Sequence, residues 1–218
     1  MTTGSEFLMR TLAANGVNVC FMNPGTSEMR FVAALDEVPE MRGVLCLFEG
    51  VCAGAADGYA RMTAGAGCAL FHLGPGLANG LSNLHNARKA RSSIVAIVGE
   101  HTTSHLKFDA PLSADIAAFA RPVSDSVLRV ESSEELCAAV RETIRHAVQP
   151  PGKIASIIIP ADISWSPIEA AVPRIETPPR ASPDDKRIGE AAKLVREPGA
   201  WILLGGTSLN ARALRSAA

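Results

Sequence analysis

Glu49 is the side chain whose surroundings best suit proton transfer. It follows the apolar run Gly43–Phe48 and opens a helical stretch, with Leu45, Leu47, Phe48, Val51 and Cys52 as neighbours. A carboxylate among apolar groups is desolvated, which raises its pKa and suits it to exchanging protons near neutral pH. Spacing alone slightly favours a simpler account, a glutamate that only complements a helix dipole. His72 ends another apolar run just before Gly74-Pro75-Gly76 and by position can reach a ligand. A lone histidine at a strand end is more often a structural hydrogen-bonder. His101 and His105 flank a polar loop beside Glu100, where a solvated loop is the simpler account.

Gly50, Gly54 and Gly58 recur every four residues within this helical stretch. Each glycine in a helix interior costs up to ~1 kcal/mol relative to alanine. Close packing of another helix or subunit is the simplest compensation, and a phosphate site the weaker one. Gly74-Pro75-Gly76, with Asn79 and Gly80, fits neither GxGxxG nor GxxxxGK[ST]. Pro75 also removes a backbone donor. The segment reads as a tight strand-to-helix turn near a ligand. No cluster has convincing metal-ligand spacing, and no GxSxG nucleophile elbow occurs.

These residues need elements to position them. Apolar runs predict strands at Val17–Met22, Gly43–Phe48, Cys68–Leu73, Ser93–Val98, Val123–Val130 and Ile154–Ile159. Helices are predicted at Phe7–Leu12, Ser27–Leu35, Gly50–Met62, Leu77–Ala90, Asp115–Phe119 and Glu134–Val148. Strands that alternate with helices imply a doubly wound α/β domain: a mainly parallel sheet with helices on both faces. The strands are near-continuous apolar runs, as expected for a sheet covered on both sides. Ligands of such sheets sit beyond the carboxyl ends of the strands.

Composition shifts after Asp162, and five prolines fall between Ser166 and Pro183. The expected division is a first domain over 1–165, a proline-rich linker over 166–183, and the beginning of a truncated second α/β domain over 184–218. That last part would hold a helix Asp184–Arg196 and a strand Trp201–Leu204. The 218 residues carry a formal net charge of −1, which gives no reason to expect nucleic acid or an anionic membrane as partner. No basic and apolar leader and no span of ~20 apolar residues is evident. The five cysteines form no CxxC pair and read as free thiols, so a cytoplasmic location is expected.

Several stretches together resemble a known family. Asn23-Pro24-Gly25-Thr26, Phe48-Glu49-Gly50 through Ala56-Asp57-Gly58-Tyr59-Ala60-Arg61, Gly74-Pro75-Gly76 and Asn79-Gly80 come in the order of the acetolactate synthase, pyruvate oxidase and benzoylformate decarboxylase superfamily. Arg121-Pro122-Val123 and Pro160-Ala161-Asp162 also match. The resemblance covers residues 1 to about 165 as a pyrimidine-binding domain of thiamine-diphosphate enzymes, and from about 185 the opening of the family's central domain.

The resemblance implies roles. Glu49 would hydrogen-bond the cofactor's pyrimidine nitrogen and promote the imino tautomer that deprotonates the thiazolium carbon. The ylid then attacks a 2-keto acid. Glu49 and His72 become the candidate catalytic residues. Asn23, Pro24, Gly25, Thr26, Glu49, Gly74, Pro75, Gly76 and Asn79 become the candidate cofactor-binding residues. His72 and Thr26 fall where benzoylformate decarboxylase-like members carry a histidine and a serine. Acetolactate synthases tend to have Phe-Gln after an Asp-Ala in the later loop, whereas here Asp109-Ala110 precedes Pro111-Leu112. The family's GDG motif for diphosphate and Mg2+ is absent from the sequence, so that site is expected in a domain absent from this chain. The resemblance leaves room for FAD without supporting it. A homodimer or homotetramer is implied, because the family's active site lies between subunits. The alternatives are a subunit that pairs with a separate diphosphate-binding chain, or a non-catalytic interaction domain. A nicotinamide-binding fold lacks its glycine fingerprint here.

Overall fold

The computed structural model describes residues 2–63, 65–176 and 182–217. The chain divides into two compact units, 1–177 and 178–218. The first unit opens with a two-residue strand, β1 (Thr2–Thr3), and helix α1 (Gly4–Ala14). Both Thr3 and Ser5 could start this helix, and Thr3 does so. Its hydroxyl accepts from the Glu6 amide at 3.3 Å while the Glu6 carboxylate accepts from the Thr3 amide. Phe7, Leu8 and Leu12 on this helix are fully buried.

There follow β2 (Val19–Asn23), a 3-10 turn (Thr26–Glu28), α2 (Met29–Glu37), β3 (Arg42–Leu45), α3 (Glu49–Thr63), β4 (Gly67–Phe71), α4 (Leu73–Ala90) and β5 (Ile94–Glu100). After the long loop come α5 (Ile116–Ala120), β6 (Ser126–Arg129), α6 (Ser133–Ala147), β7 (Ile154–Pro160), α7 (Ala161–Trp165) and β8 (Pro167–Ile168). Six strands form one sheet in the order β3-β2-β4-β5-β7-β6, and every pairing in it is parallel. Strands β1 and β8 make a separate antiparallel pair. The chain leaves β2 toward β3 on one side and β4 toward β5 on the other, which makes the β2–β4 gap the topological switch point.

Two apolar layers cover the sheet. One includes Phe7, Phe31, Leu70, Ile97 and Ile144, against α1, α2 and α6. The other includes Cys52, Ala56, Phe71, Leu77, Leu84 and Ile116, against α3, α4 and α5. Every residue of β4, β5 and β7 is buried. Burying one large apolar side chain stabilises by about 1.5–3 kcal/mol, so these central strands carry the fold. The edge strand β3 departs from the expected burial on both faces, since none of its four residues is buried.

Two local differences bear on the site. Strand β3 stops at Leu45 instead of Phe48; after the Cys46 amide bonds the Met22 carbonyl at 2.8 Å, the chain turns away to start α3 at Glu49. Gly74-Pro75-Gly76 forms the first turn of α4 instead of a separate loop. Proline is tolerated there because first-turn amides have no intrahelical acceptor. The reversal falls on Leu73, whose φ of 53° swings β4 into α4 within one residue. Such a left-handed backbone at a non-glycine residue costs on the order of 1–3 kcal/mol and tends to sit at functional sites.

Residues 166–176 lie on the first unit: Asn15 donates to the Pro173 carbonyl at 2.9 Å and accepts from the Ile175 amide at 2.7 Å. Residues 177–181, with Pro178 and Pro179 of the expected linker, lie outside the described residues. The second unit holds α8 (Asp185–Val195), capped by Asp184, a 3-10 turn (Gly206–Ser208) and α9 (Ala211–Ala217). The strand expected at Trp201–Leu204 does not form. A strand exists only through a ladder partner, and Trp201 and Leu203 are instead 95% and 99% exposed.

Candidate active site

Glu49 is the first residue of α3 and is 8% exposed. Its Oε2 accepts from Asn79 Nδ2 at 3.0 Å, while among the described residues Oε1 has no hydrogen-bond partner. One turn further along α4, Asn83 donates to the Gly50 carbonyl at 2.6 Å, so α4 grips both the side chain and the backbone of this first turn. A Cβ on Gly76 would lie 3.3 Å from Glu49 Oε1 and 3.3 Å from His72 Cβ. The missing methyl therefore leaves a recess between the two candidate catalytic residues.

The apolar neighbours expected to desolvate Glu49 do not do so in this chain. Leu45, Leu47, Phe48 and Val51 are exposed, and of those named only Cys52 is buried. The four exposed residues border Glu49 in sequence and turn apolar surface outward. The glycine stripe of α3 also divides. Gly54 packs against Asn83, a Cβ on Gly50 would strike the Phe48 ring, and Gly58 faces open space.

His72, the residue after β4, pairs with a partner that sequence reasoning missed. Its Nδ1 lies 2.7 Å from Oε2 of Glu28, a residue with no exposed surface. The same oxygen accepts from the Gly25 amide at 2.8 Å. Glu28 Oε1 is buried and has no partner among the described residues. Burial pushes the Glu28 carboxyl above its ordinary pKa, opposed by the Gly25 amide and by His72. Two glycines make room for the pair. A Cβ on Gly25 would lie 2.3–2.5 Å from three atoms of the His72 ring, and one on Gly99 of β5 would lie 1.6 Å from Glu28 Oε1. The missed signal was spacing: a glutamate three residues after a turn glycine is placed to fold back on that glycine's amide.

The structure thus brings Gly25, Glu49, His72, Gly76 and Asn79 together at the carboxyl ends of β2, β3 and β4, beside the switch point. Asn79 holds Glu49. Gly74 has a different neighbour, since a Cβ there would meet Ala114 of the long loop at 2.4 Å. Asn23 ends β2 opposite Phe71, and Pro24 is half-buried. Thr26 and Pro75 are exposed. Thr103 of the long loop is tied to α7 through Asp162, which accepts from its amide at 3.1 Å and its hydroxyl at 2.5 Å. His101 and His105 of the same loop lie with ring centroids 5.7 Å apart and their planes tilted by 58°.

This fold has counterparts among known proteins. The family described as thiamine pyrophosphate enzyme, N-terminal TPP binding domain, matches residues 2–120. The chain belongs to this family. A Mycobacterium tuberculosis protein provisionally designated acetolactate synthase large subunit IlvX is 49% identical over 99% of this chain and 41% of its own length. The acetolactate synthase of Mycobacterium bovis is 29% identical over 88% of this chain and 32% of its own length. The TPP-binding chain thus spans less than half of these curated relatives.

Two solved structures share the fold. A protein from Mycobacterium smegmatis, provisionally described as a thiamin diphosphate-dependent enzyme, superposes with a TM-score of 0.81 at 24% identity, over 88% of this chain and 37% of that one. The 4-hydroxybenzoylformate decarboxylase of Rhodococcus jostii RHA1 superposes with a TM-score of 0.71 at 24% identity, over 99% of this chain and 36% of that one. The α/β fold with its parallel six-stranded sheet is therefore that of thiamine-diphosphate-dependent enzymes.

Proposed function

We propose that this TPP-binding chain supplies the pyrimidine-holding side of an active site that decarboxylates or ligates 2-keto acids. The observation that carries the reading is Glu49, recessed at the helix start, held through one oxygen by Asn79 and open at the other. The ring nitrogen of an aminopyrimidine gains a proton as the imino tautomer forms, and Glu49 Oε1, beside the side-chain-free Gly76, fits the sharing of that proton. Thiamine diphosphate, when bound, supplies the electron sink for cleavage next to the keto carbonyl. Glu49 exchanges a proton with the pyrimidine at Oε1. Asn79 keeps the carboxylate in place. His72 offers its ring Nε2 to the substrate, with Thr26 across the turn.

Diphosphate and Mg2+ are assigned to another domain or chain, since the sequence lacks the GDG motif. The exposed Leu45, Leu47, Phe48 and Val51 flank Glu49 in sequence, and a second copy of the full protein covering them would dry the site. Among the described residues the cysteines are free thiols, and no helix is long and apolar enough to cross a membrane. A cytoplasmic enzyme agrees with both.

The test is the exchange of the cofactor's reactive C–H for deuterium in the full-length protein. Glu49→Gln is expected to slow it by orders of magnitude. An unchanged rate ends the assignment.

A further inference from the structure

Glu28 has the marks of a group retained for another residue's sake. It is fully buried, it leaves one oxygen unsatisfied, and it needs Gly99 to have no side chain. Burying a carboxylate with an unpaired oxygen is destabilising by itself. An apolar residue in the same space would be the easier solution. What the carboxylate achieves is specific. It grips His72 through Nδ1 at 2.7 Å and is itself fixed by the Gly25 amide at 2.8 Å. The His72 ring occupies the space that a Gly25 side chain would take.

We infer that Glu28 is a positioning residue: it fixes the His72 ring through Nδ1 and thereby leaves Nε2 as the ring nitrogen presented to the ligand. In a neutral imidazole the two nitrogens have opposite roles, and the bond made by one sets what the other can do. With Nδ1 committed to Glu28, no flip of the ring can exchange the roles. Glu28 then acts on the reaction only through His72. The inference rests on His72 belonging to the proposed site.

Two measurements test it. The first uses the 218-residue chain without cofactor: nitrogen NMR of the imidazole rings. His72 is expected to give separate Nδ1 and Nε2 signals, with a proton on Nδ1 in slow exchange. Glu28→Leu, which keeps the site filled, is expected to move the ring to the Nε2–H tautomer. A His72 spectrum indifferent to Glu28→Leu overturns the inference. The second uses the full-length protein with thiamine diphosphate, Mg2+ and a 2-keto acid. Glu28→Gln is expected to lower kcat by about 10–100-fold, as loss of such an orienting partner does elsewhere, with cofactor affinity held within about threefold. The double variant with His72→Ala is expected to be no slower than His72→Ala alone. Additive losses in the double variant overturn the inference, because Glu28 would then act by another route. If His72→Ala leaves kcat unchanged, the proposed role of His72 fails. The NMR result still decides whether Glu28 sets the ring.

Discussion

At the scale of single residues, the site uses two carboxylates in opposite ways. Glu49 keeps an oxygen open toward the recess, whereas Glu28 turns wholly inward. The second arrangement has a thermodynamic signature. Burial holds the Glu28 carboxyl above the ordinary carboxylate range, so the folded chain retains that proton to higher pH than the unfolded chain. Stability contributed by Glu28 is then fully present below the unfolded pKa and lost as pH rises through the folded one. Glu28→Gln cannot titrate there. The stability of this variant relative to the parent is expected to rise as pH climbs above the ordinary carboxylate pKa of about 4, on top of a constant offset from the altered His72 contact. Urea denaturation at a series of pH values measures the slope. A difference that stays flat across the window would show that Glu28 titrates alike in both states.

At the scale of elements, the long loop between β5 and α5 is held at both ends by the domain. Asp162 takes two hydrogen bonds from Thr103, and the loop's Ala114 abuts Gly74 at the start of α4. Hydrogen bonds to a charged acceptor contribute about 1.5–3 kcal/mol each. Asp162→Ala is therefore expected to speed amide exchange in residues 101–109 by about tenfold or more, leaving β5 and β7 protected. Unchanged exchange would place the loop's anchor elsewhere.

The same scale shows what the sequence could disclose. The central strands and α6 were legible because their burial leaves an unbroken apolar run or a clean helical stripe. Strand β3 was misread at its carboxyl end. Leu45, Leu47 and Phe48 are apolar for a reason the isolated chain does not satisfy, and periodicity cannot distinguish that from core. Gly74-Pro75-Gly76 reads in the sequence as a turn ahead of the helix because both residue types punctuate loops, yet the first turn of a helix accepts them once Leu73 absorbs the reversal. Glu49 and His72 were legible as candidates through their motifs. Glu28 was not, because its partner lies 44 residues away and only the fold makes them neighbours.

At the scale of the whole molecule, the open question is what covers the outward apolar surface. Leu47 is 95% exposed, Leu45 66%, Val51 55% and Phe48 48%, all within a seven-residue span that includes Glu49. Single exposed apolar residues are unremarked on most surfaces, but a contiguous set beside a candidate site marks an interface. A second copy of the same chain fits, because a two-fold contact lets one patch serve both partners. The full-length protein is expected to sediment as a dimer or larger species, and Leu47→Asp is expected to weaken that association at least tenfold. One buried charge facing an apolar partner costs more than the ~1.4 kcal/mol that a factor of ten represents. Trp201 and Leu203 in the second unit are also exposed, so Trp201→Ser serves as the comparison. Loss of association in the Leu47 variant, with retention in the Trp201 variant, assigns the contact to the face beside Glu49. Cofactor affinity is then expected to fall with it, if the proposed contact encloses the recess. The reverse pattern would move the interface to the second unit and leave Glu49 to be enclosed by something other than a second copy.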